Sequence, residues 1–277
     1  MTDDDLIDFQ RDTFTHDGKT RAVFRQGSGP AVIVMAEFPG ISPMVFDFAR
    51  RVASRGCTAV VPHLYGNPGR DPSPAAHGLV AALANIAGQF GPVCVSREFV
   101  VLASGRTSPV VRWLRALAEH EHQRCGGPGV GAVGMCFTGG FALAMAVDDR
   151  LIAPVLSQPG LPLAFTARQK YSIDVAPADL DRIKQRCADG LSVMGLRFCG
   201  DRRSPAQRFD FLRDQLGEAF IAIELDDAAA NPDAVLSPHS VLTEHLIDRP
   251  GEPTHTALHQ VLDFLGSRLV AGHQPGS

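Results

Sequence analysis

A cysteine stands where a run of apolar residues gives way to a glycine-rich helical stretch. The segment reads Gly134-Met-Cys-Phe-Thr138 and continues with Gly139 and Gly140. A sharp strand-to-helix turn of this kind strains its central residue and projects that side chain above a sheet, provided that the residues two positions away are small. The helix N-terminus favours a thiolate, and the Phe137 amide points at the oxyanion of a substrate. The pattern predicts that Cys136 is a nucleophile, and a buried cysteine beside a glycine packing turn is the alternative.

An acid and a histidine follow the cysteine in the chain order that such a nucleophile requires. Asp201 follows a predicted strand over Leu191–Cys199, and His239 lies in the loop after the last predicted strand, Phe220–Leu225. In a Cys136–His239–Asp201 triad, the sulfur of the cysteine would attack a carbonyl carbon, and the carboxylate of the aspartate would orient the imidazole. The alternatives are a turn or helix-capping role for Asp201 and a surface-loop position for His239.

A glutamate directly follows the first buried strand. Glu37 comes after the apolar run Ala31–Ala36, in the segment Glu37-Phe-Pro-Gly40. At the carboxyl end of that strand, its carboxylate lies close to the point where Cys136 projects. There it could accept a hydrogen bond from the thiol and serve as a base. An ion pair between Glu37 and a nearby arginine is the alternative.

Other histidines fit a catalytic or metal-binding role less well. His255 and His259 lie four positions apart on the closing helix, which is typical of a solvated face. His120 and His122 precede Cys125 at a helix end, but no second pair of ligands has a spacing suitable for zinc. We therefore expect no metal.

Short apolar runs alternate with longer segments of helical period, which indicates βαβ units and a mostly parallel sheet. The predicted strands are Arg21–Gln26, Ala31–Ala36, Cys57–Pro62, Val130–Gly134, Ile152–Ser157, Leu191–Cys199 and Phe220–Leu225. The predicted helices are Pro43–Arg55, Arg106–Glu121, Gly139–Val147, Pro177–Ala188, Ser204–Leu216 and Thr254–Leu269. Two irregular stretches, Gly66–Pro92 and Asp226–Pro253, are expected as loop or cap insertions near the site, within one domain over residues 1–277.

Composition narrows the class of protein. The chain has 277 residues, 45% of them hydrophobic and 20% charged, which suffices for a sizeable core. A net charge of −4 argues against nucleic acid and against an anionic membrane surface as partners. Because the N-terminal residues are acidic, we expect no signal peptide, and no apolar run approaches the roughly 20 residues of a membrane span. Six scattered cysteines indicate free thiols, so we expect a cytoplasmic protein.

Together these motifs resemble the dienelactone hydrolase (carboxymethylenebutenolidase) family, a cysteine branch of the α/β-hydrolase fold. The resemblance runs from about Phe24 to Leu269. It is carried by Glu37-Phe-Pro-Gly40, Val61-Pro-His-Leu-Tyr65, Gly134-Met-Cys-Phe-Thr-Gly-Gly140, Gly200-Asp201 and His239-Ser240. It implies an α/β-hydrolase fold, with a mostly parallel central sheet and helices on both faces.

The resemblance also implies a role for each candidate residue. The family triad of cysteine, aspartate and histidine corresponds to Cys136, Asp201 and His239. The family's glutamate corresponds to Glu37, and it is understood to hold the resting thiol and to take its proton when substrate binds. His63 replaces an aspartate often found before Leu-Tyr in the family, and we expect it to be structural.

Further positions either match the family or depart from it. The amides of Phe38 and Phe137 would form the oxyanion hole. Arg97 lies in a place comparable to a family arginine that helps hold the glutamate and a substrate carboxylate, and a solvated arginine is the alternative. Thr243 stands where true dienelactone hydrolases carry a second arginine, and Val101 stands where they carry a tyrosine. Fewer charged groups imply a less anionic or a different substrate.

We therefore expect an enzyme that hydrolyses a small-molecule carboxylic ester or lactone through an acyl-thioester, with no metal or organic cofactor. A thioesterase or acyl transferase with the same residues would differ only in leaving group and acceptor. A hydrolase-like protein that binds a small molecule without turnover is the third hypothesis. The substrate, the pathway and the oligomeric state stay open at this stage.

Overall fold

The computed structural model describes residues 3, 4, 6–71 and 98–270. Within them, eight strands form one sheet in the order β1-β2-β4-β3-β5-β6-β7-β8. The strands are β1 (Gln10–His16), β2 (Lys19–Gly27), β3 (Ala31–Met35), β4 (Thr58–Pro62), β5 (Val130–Met135), β6 (Leu151–Ser157), β7 (Val193–Phe198) and β8 (Phe220–Leu225). Strand β2 pairs antiparallel with β1 and β4, and every pairing from β4 to β8 is parallel. The carboxyl ends of the parallel strands therefore share one edge.

The helices cover both faces of this sheet. They are α1 (Pro43–Ser54), α2 (Val110–Cys125), α3 (Gly139–Met145), α4 (Ala167–Lys170), α5 (Pro177–Ala188), α6 (Ala206–Leu216) and α7 (Pro253–Leu269). Successive side chains of a strand point to opposite faces. Val32 and Val34 accordingly pack with α1 and α7, whereas Ile33 packs with α2 and α3. The predicted α/β architecture, with a mostly parallel sheet between two helical layers, is confirmed.

The central strands lie in the interior of the sheet because their residues are mostly apolar. Every residue of β3, β4, β5 and β7 is buried. Parallel strands covered on both faces carry continuous apolar runs for this reason. The same runs made these strands predictable from the sequence.

Three elements differ most from the sequence expectation, and one of them is the short helix α4, which was not predicted. Strand β1 was not predicted, because its sequence is mostly polar and it lies, largely exposed, at the edge of the sheet. Helix α2, expected from Arg106, begins only at Val110, because Pro109 disfavours a helical conformation of the residue before it. It continues to Cys125 and ends at Gly126, whose φ of 69° is one that glycine adopts readily.

The predicted insertion Gly66–Pro92 lies largely outside the described residues. The second one, Asp226–Pro253, contains a short 3-10 turn over Asp227–Ala229 and otherwise runs without helix or strand to α7. None of the described helices is both long enough and apolar enough to cross a bilayer.

Candidate active site

Cys136 occupies the turn between β5 and α3. Its φ is 50°, a left-handed conformation that residues with side chains adopt rarely, and a 3-10 turn over Cys136–Thr138 leads into α3. A Cβ atom at Gly134 would lie only 2.1 Å from the Thr138 carbonyl oxygen, so the residue two positions before the cysteine must be glycine. Such strained turns recur where a side chain has to project for chemistry. The thiol is partly exposed.

Neighbouring strand ends hold this turn in place. The Thr138 hydroxyl accepts a hydrogen bond from the Met135 amide at 2.9 Å and donates to the Met35 carbonyl, at the end of β3, at 3.0 Å. The Gly160 amide donates to the Cys136 carbonyl at 2.7 Å. The cysteine is thus fixed from the ends of both strands that flank β5.

The histidine and the aspartate predicted for the triad form a buried pair. His239, in the loop after β8, places Nδ1 2.6 Å from Oδ2 of Asp201, which follows β7. The Arg203 amide donates to Oδ1 of the same carboxylate at 2.9 Å. Burial raises the pKa of Asp201, but the hydrogen bond and the charge of His239 outweigh burial and leave that pKa below its usual value. Asp201 is therefore ionised at neutral pH and orients the imidazole.

His239 interacts electrostatically with Cys136 as well as with Asp201. Burial lowers the pKa of His239, yet the charge of Cys136 and then the contact with Asp201 raise it, with a net value of about 10. Nε2 is buried and has no hydrogen-bond partner of normal geometry within the described residues. The structure thus brings Cys136, His239 and Asp201 together at the carboxyl ends of β5, β7 and β8.

Glu37 lies at the same edge of the sheet, and three side chains donate hydrogen bonds to its carboxylate. Oε2 of Glu37 accepts hydrogen bonds from the Ser240 hydroxyl at 2.6 Å and from the side-chain amide of Gln158 at 3.2 Å. Oε1 accepts one from the Thr243 hydroxyl. Among the described contacts there is neither a Glu37–Cys136 hydrogen bond nor an ion pair between Glu37 and an arginine. The described donors to Glu37 are thus Gln158 and two hydroxyl groups of the loop that carries His239, and the expected contact with the resting thiol is not among them.

Aromatic rings surround the cysteine. The rings of Phe38 and Phe137 both contact that of Tyr65, at centroid distances of 6.1 and 5.6 Å. The Tyr65 hydroxyl donates to the Ala36 carbonyl at 2.6 Å, which fixes its ring beside the end of β3. Phe99 completes the cluster against Tyr65 and Phe137. The two residues predicted to supply oxyanion-hole amides therefore flank a common aromatic side chain.

Other predicted positions have different places. Arg97 lies outside the described residues. His63 bonds the Gly66 carbonyl at 2.8 Å, consistent with a structural role. Val101 is buried, with its carbonyl accepting from the Leu163 amide at 3.0 Å. No group of three or more His, Cys, Asp or Glu side chains in the described part of the chain could hold a metal ion.

Sequence analysis missed the residues that bind Glu37. Gln158 was not singled out, Ser240 was noted only as part of the His239-Ser240 motif, and Thr243 only as the replacement of an arginine. Ser240 and Thr243 lie 203 and 206 positions from Glu37, so only the fold brings them together. The one local signal is the position of both hydroxyl residues just after His239.

Comparison with known protein families points to the same family as the sequence motifs. A sequence model of the dienelactone hydrolase family matches residues 19–184, which is more than half of the chain. None of the curated proteins matches the sequence.

Solved structures share the fold at low sequence identity. A protein assigned as a dienelactone hydrolase from Klebsiella pneumoniae subsp. pneumoniae has a TM-score of 0.58 and 16% identity, over 92% of this chain and 97% of that one. A dienelactone hydrolase-like promiscuous phosphotriesterase from metagenomic libraries has a TM-score of 0.60 and 17% identity, over 94% and 98%. A thioesterase domain from the curacin biosynthetic pathway has 0.53 and 9%, over 92% and 99%. These likenesses confirm the α/β-hydrolase fold.

Proposed function

The chain belongs to the dienelactone hydrolase family, and from that premise we propose that it hydrolyses a small-molecule carboxylic ester or lactone with Cys136 as the nucleophile. One observation carries the proposal. A cysteine with a φ of 50° at a strand-to-helix turn lies beside a buried His239–Asp201 pair with an Nδ1–Oδ2 distance of 2.6 Å. Strained turns recur at functional sites, and together with the buried pair this turn supports the assignment of a nucleophile and its base.

Acylation of the cysteine is the first half of the proposed reaction. The Cys136 thiolate attacks the carbonyl carbon, and the carbonyl π electrons move onto the oxygen. The backbone N–H groups of Phe38 and Phe137 stabilise the negative charge on that oxygen by donating hydrogen bonds. The tetrahedral intermediate collapses with cleavage of the carbon–oxygen ester bond. The imidazolium of His239 gives its proton from Nε2 to the departing alkoxide. An acyl-thioester on Cys136 and a free alcohol result; from a lactone, both remain in one molecule.

Deacylation uses the same groups in the opposite direction. Neutral His239 takes a proton from a water molecule, whose oxygen attacks the thioester carbonyl. The carbon–sulfur bond then breaks, the carboxylic acid leaves, and the thiolate–imidazolium pair is restored. Asp201 keeps the imidazole in the required tautomer through both halves.

We also propose a single domain over residues 1–277 and a cytoplasmic location. The one sheet that the described strands form, with both faces covered, supports the first statement. The second rests on the cysteines, since those described are free thiols.

Turnover of p-nitrophenyl acetate by wild type and two cysteine variants tests the function. Cys136→Ala is expected to abolish turnover while the far-UV spectrum and melting temperature stay close to wild type, because the thiol supplies chemistry and little packing. Cys125→Ala, at the end of α2, is the matched control and retains activity. A short-chain acyl thioester assayed in parallel separates an esterase from a thioesterase. Equal rates in Cys136→Ala and wild type would refute the triad, and no turnover by wild type would favour a binding protein.

A further inference from the structure

The carboxylate of Glu37 is held by three side-chain donors, none of which is charged. Ser240 and Thr243 approach from the loop of His239, and Gln158 approaches from the end of β6. Glu37 itself is buried. A buried polar group needs hydrogen bonds to offset the free-energy cost of its removal from water. Turning Glu37 towards the thiol would break them.

Gln158 ties this carboxylate to the rest of the site. Its backbone has a φ of 35°, an uncommon value for a residue with a side chain, and its amide donates to the Leu196 carbonyl of β7 at 2.6 Å. Its side-chain oxygen accepts from the Val241 amide at 3.4 Å. The ends of β3 and β6 and the loop of His239 are thereby connected through Glu37 and Gln158.

We propose that Glu37 is a positioning residue that fixes the loop of His239 through its hydrogen bonds with Ser240, Thr243 and Gln158. The proposal rests on the proposed function. It differs from substrate-gated activation, in which a glutamate holds a neutral thiol and removes its proton only on binding. Here the position that would carry a second arginine is Thr243, whose hydroxyl bonds Glu37 directly. A neutral ester then suffices as substrate, because no substrate carboxylate is needed to release the base.

A double-mutant cycle separates positioning from base catalysis. If Glu37 acts through the loop, Glu37→Gln and Thr243→Val each lower kcat/KM for a neutral ester by about 10–100-fold, the scale of a small misplacement of a catalytic group. The double variant then loses little more than either single one. Thr243→Ser restores most of the loss, because it keeps the hydroxyl. Thr256→Val, a solvent-facing threonine on α7, is the matched control.

The opposite pattern would contradict the proposal. A large loss in Glu37→Gln with near wild-type rates in Thr243→Val, or losses that simply multiply in the double variant, would assign proton transfer to Glu37. These outcomes are distinct from failure of the proposed function, which is decided by turnover in Cys136→Ala.

Discussion

The sulfur of Cys136 is the atom on which the proposed chemistry depends. It projects from a turn that is strained and is held from the ends of two neighbouring strands. In the proposed mechanism His239 neutralises a thiolate, and a thiol ionises much closer to neutral pH than an alcohol does. We therefore expect that oxygen cannot replace sulfur at this position without loss of activity.

Cys136→Ser tests this point at the scale of one atom. The hydroxyl stays largely protonated beside His239, so we expect kcat/KM for p-nitrophenyl acetate to fall by about 10²-fold or more, with the folded structure unchanged. Steady-state kinetics and thermal melting provide the two measurements. A serine variant within threefold of wild type would mean that ionisation of the nucleophile is not limiting.

For some residues the sequence indicated a place in the site, but it did not indicate the hydrogen-bond partners. Cys136, Asp201 and His239 could be chosen from their order along the chain and from the elements that precede them. The position of Glu37 followed from the end of β3, but its hydrogen-bond partners did not. Those partners come from a loop more than 200 positions away, and no local pattern specifies which hydroxyl will approach a given carboxylate.

The strand ends and one helix position the site. Helix α3 begins directly after the cysteine and starts with two glycines, the second of which packs against a buried acid. A Cβ atom at Gly140 would lie 1.7 Å from Oδ1 of Asp174, so the first turn of α3 has no room for a side chain. Any displacement of this turn would move Cys136 with it.

Gly140→Ala is therefore expected to destabilise the protein by about 1–3 kcal/mol and to lower turnover, as overpacking does in a dense core. Gly266→Ala is the matched control, because Gly266 lies in α7 with no atom near its Cβ position. There the same change gains about 0.5–1 kcal/mol, since alanine favours a helix more than glycine does. Urea unfolding of both variants checks the pair. Equal effects at the two positions would show that α3 adjusts freely.

Elements with a strong apolar signature were predicted well. Strand β8 and helix α5 have the predicted bounds, and β3, β5 and β6 differ by one residue at an end. Strand β1 escaped prediction because pairing with β2, and not burial, holds it. The late start of α2 reflects a proline whose effect on the preceding residue outweighs helical periodicity.

At the scale of the whole molecule, an unusual feature is a buried carboxyl group whose oxygens have no hydrogen-bond partners among the described residues. Asp174 is fully buried, and within the described residues neither of its side-chain oxygens has a hydrogen-bond partner. Burial raises its pKa to about 7, although Arg208 opposes the shift. Arg208 in turn donates to the carbonyls of Pro159, Pro162 and Ser172. The buried carboxyl group of Asp174 and the buried guanidinium of Arg208 thus lie close to the first turn of α3 and to residues 159–162.

The sign of the pH effect follows from the two states of Asp174. Between pH 4 and 7 Asp174 keeps a proton in the folded protein that it loses in the unfolded chain, so its contribution to the free energy of unfolding falls as pH rises and levels off above pH 7. For a shift of this size the full effect is at most about 4 kcal/mol. Asp174→Asn removes the titration. Urea unfolding at pH 5 and pH 8 should therefore show a larger loss of stability in wild type than in the variant. The same loss in both proteins would contradict the raised pKa.

The most direct measurement of the central claim is the mass of a trapped acyl-enzyme. His239→Ala, with its imidazole removed, is expected to acylate slowly and to deacylate hardly at all when mixed with p-nitrophenyl butyrate. Intact mass spectrometry should then show one butyryl group per chain, and peptide mapping should locate it on Cys136. The control His259→Ala, on α7, should turn over normally and accumulate no adduct. A butyryl group on another residue, or undiminished turnover by His239→Ala, would contradict the Cys136–His239–Asp201 mechanism.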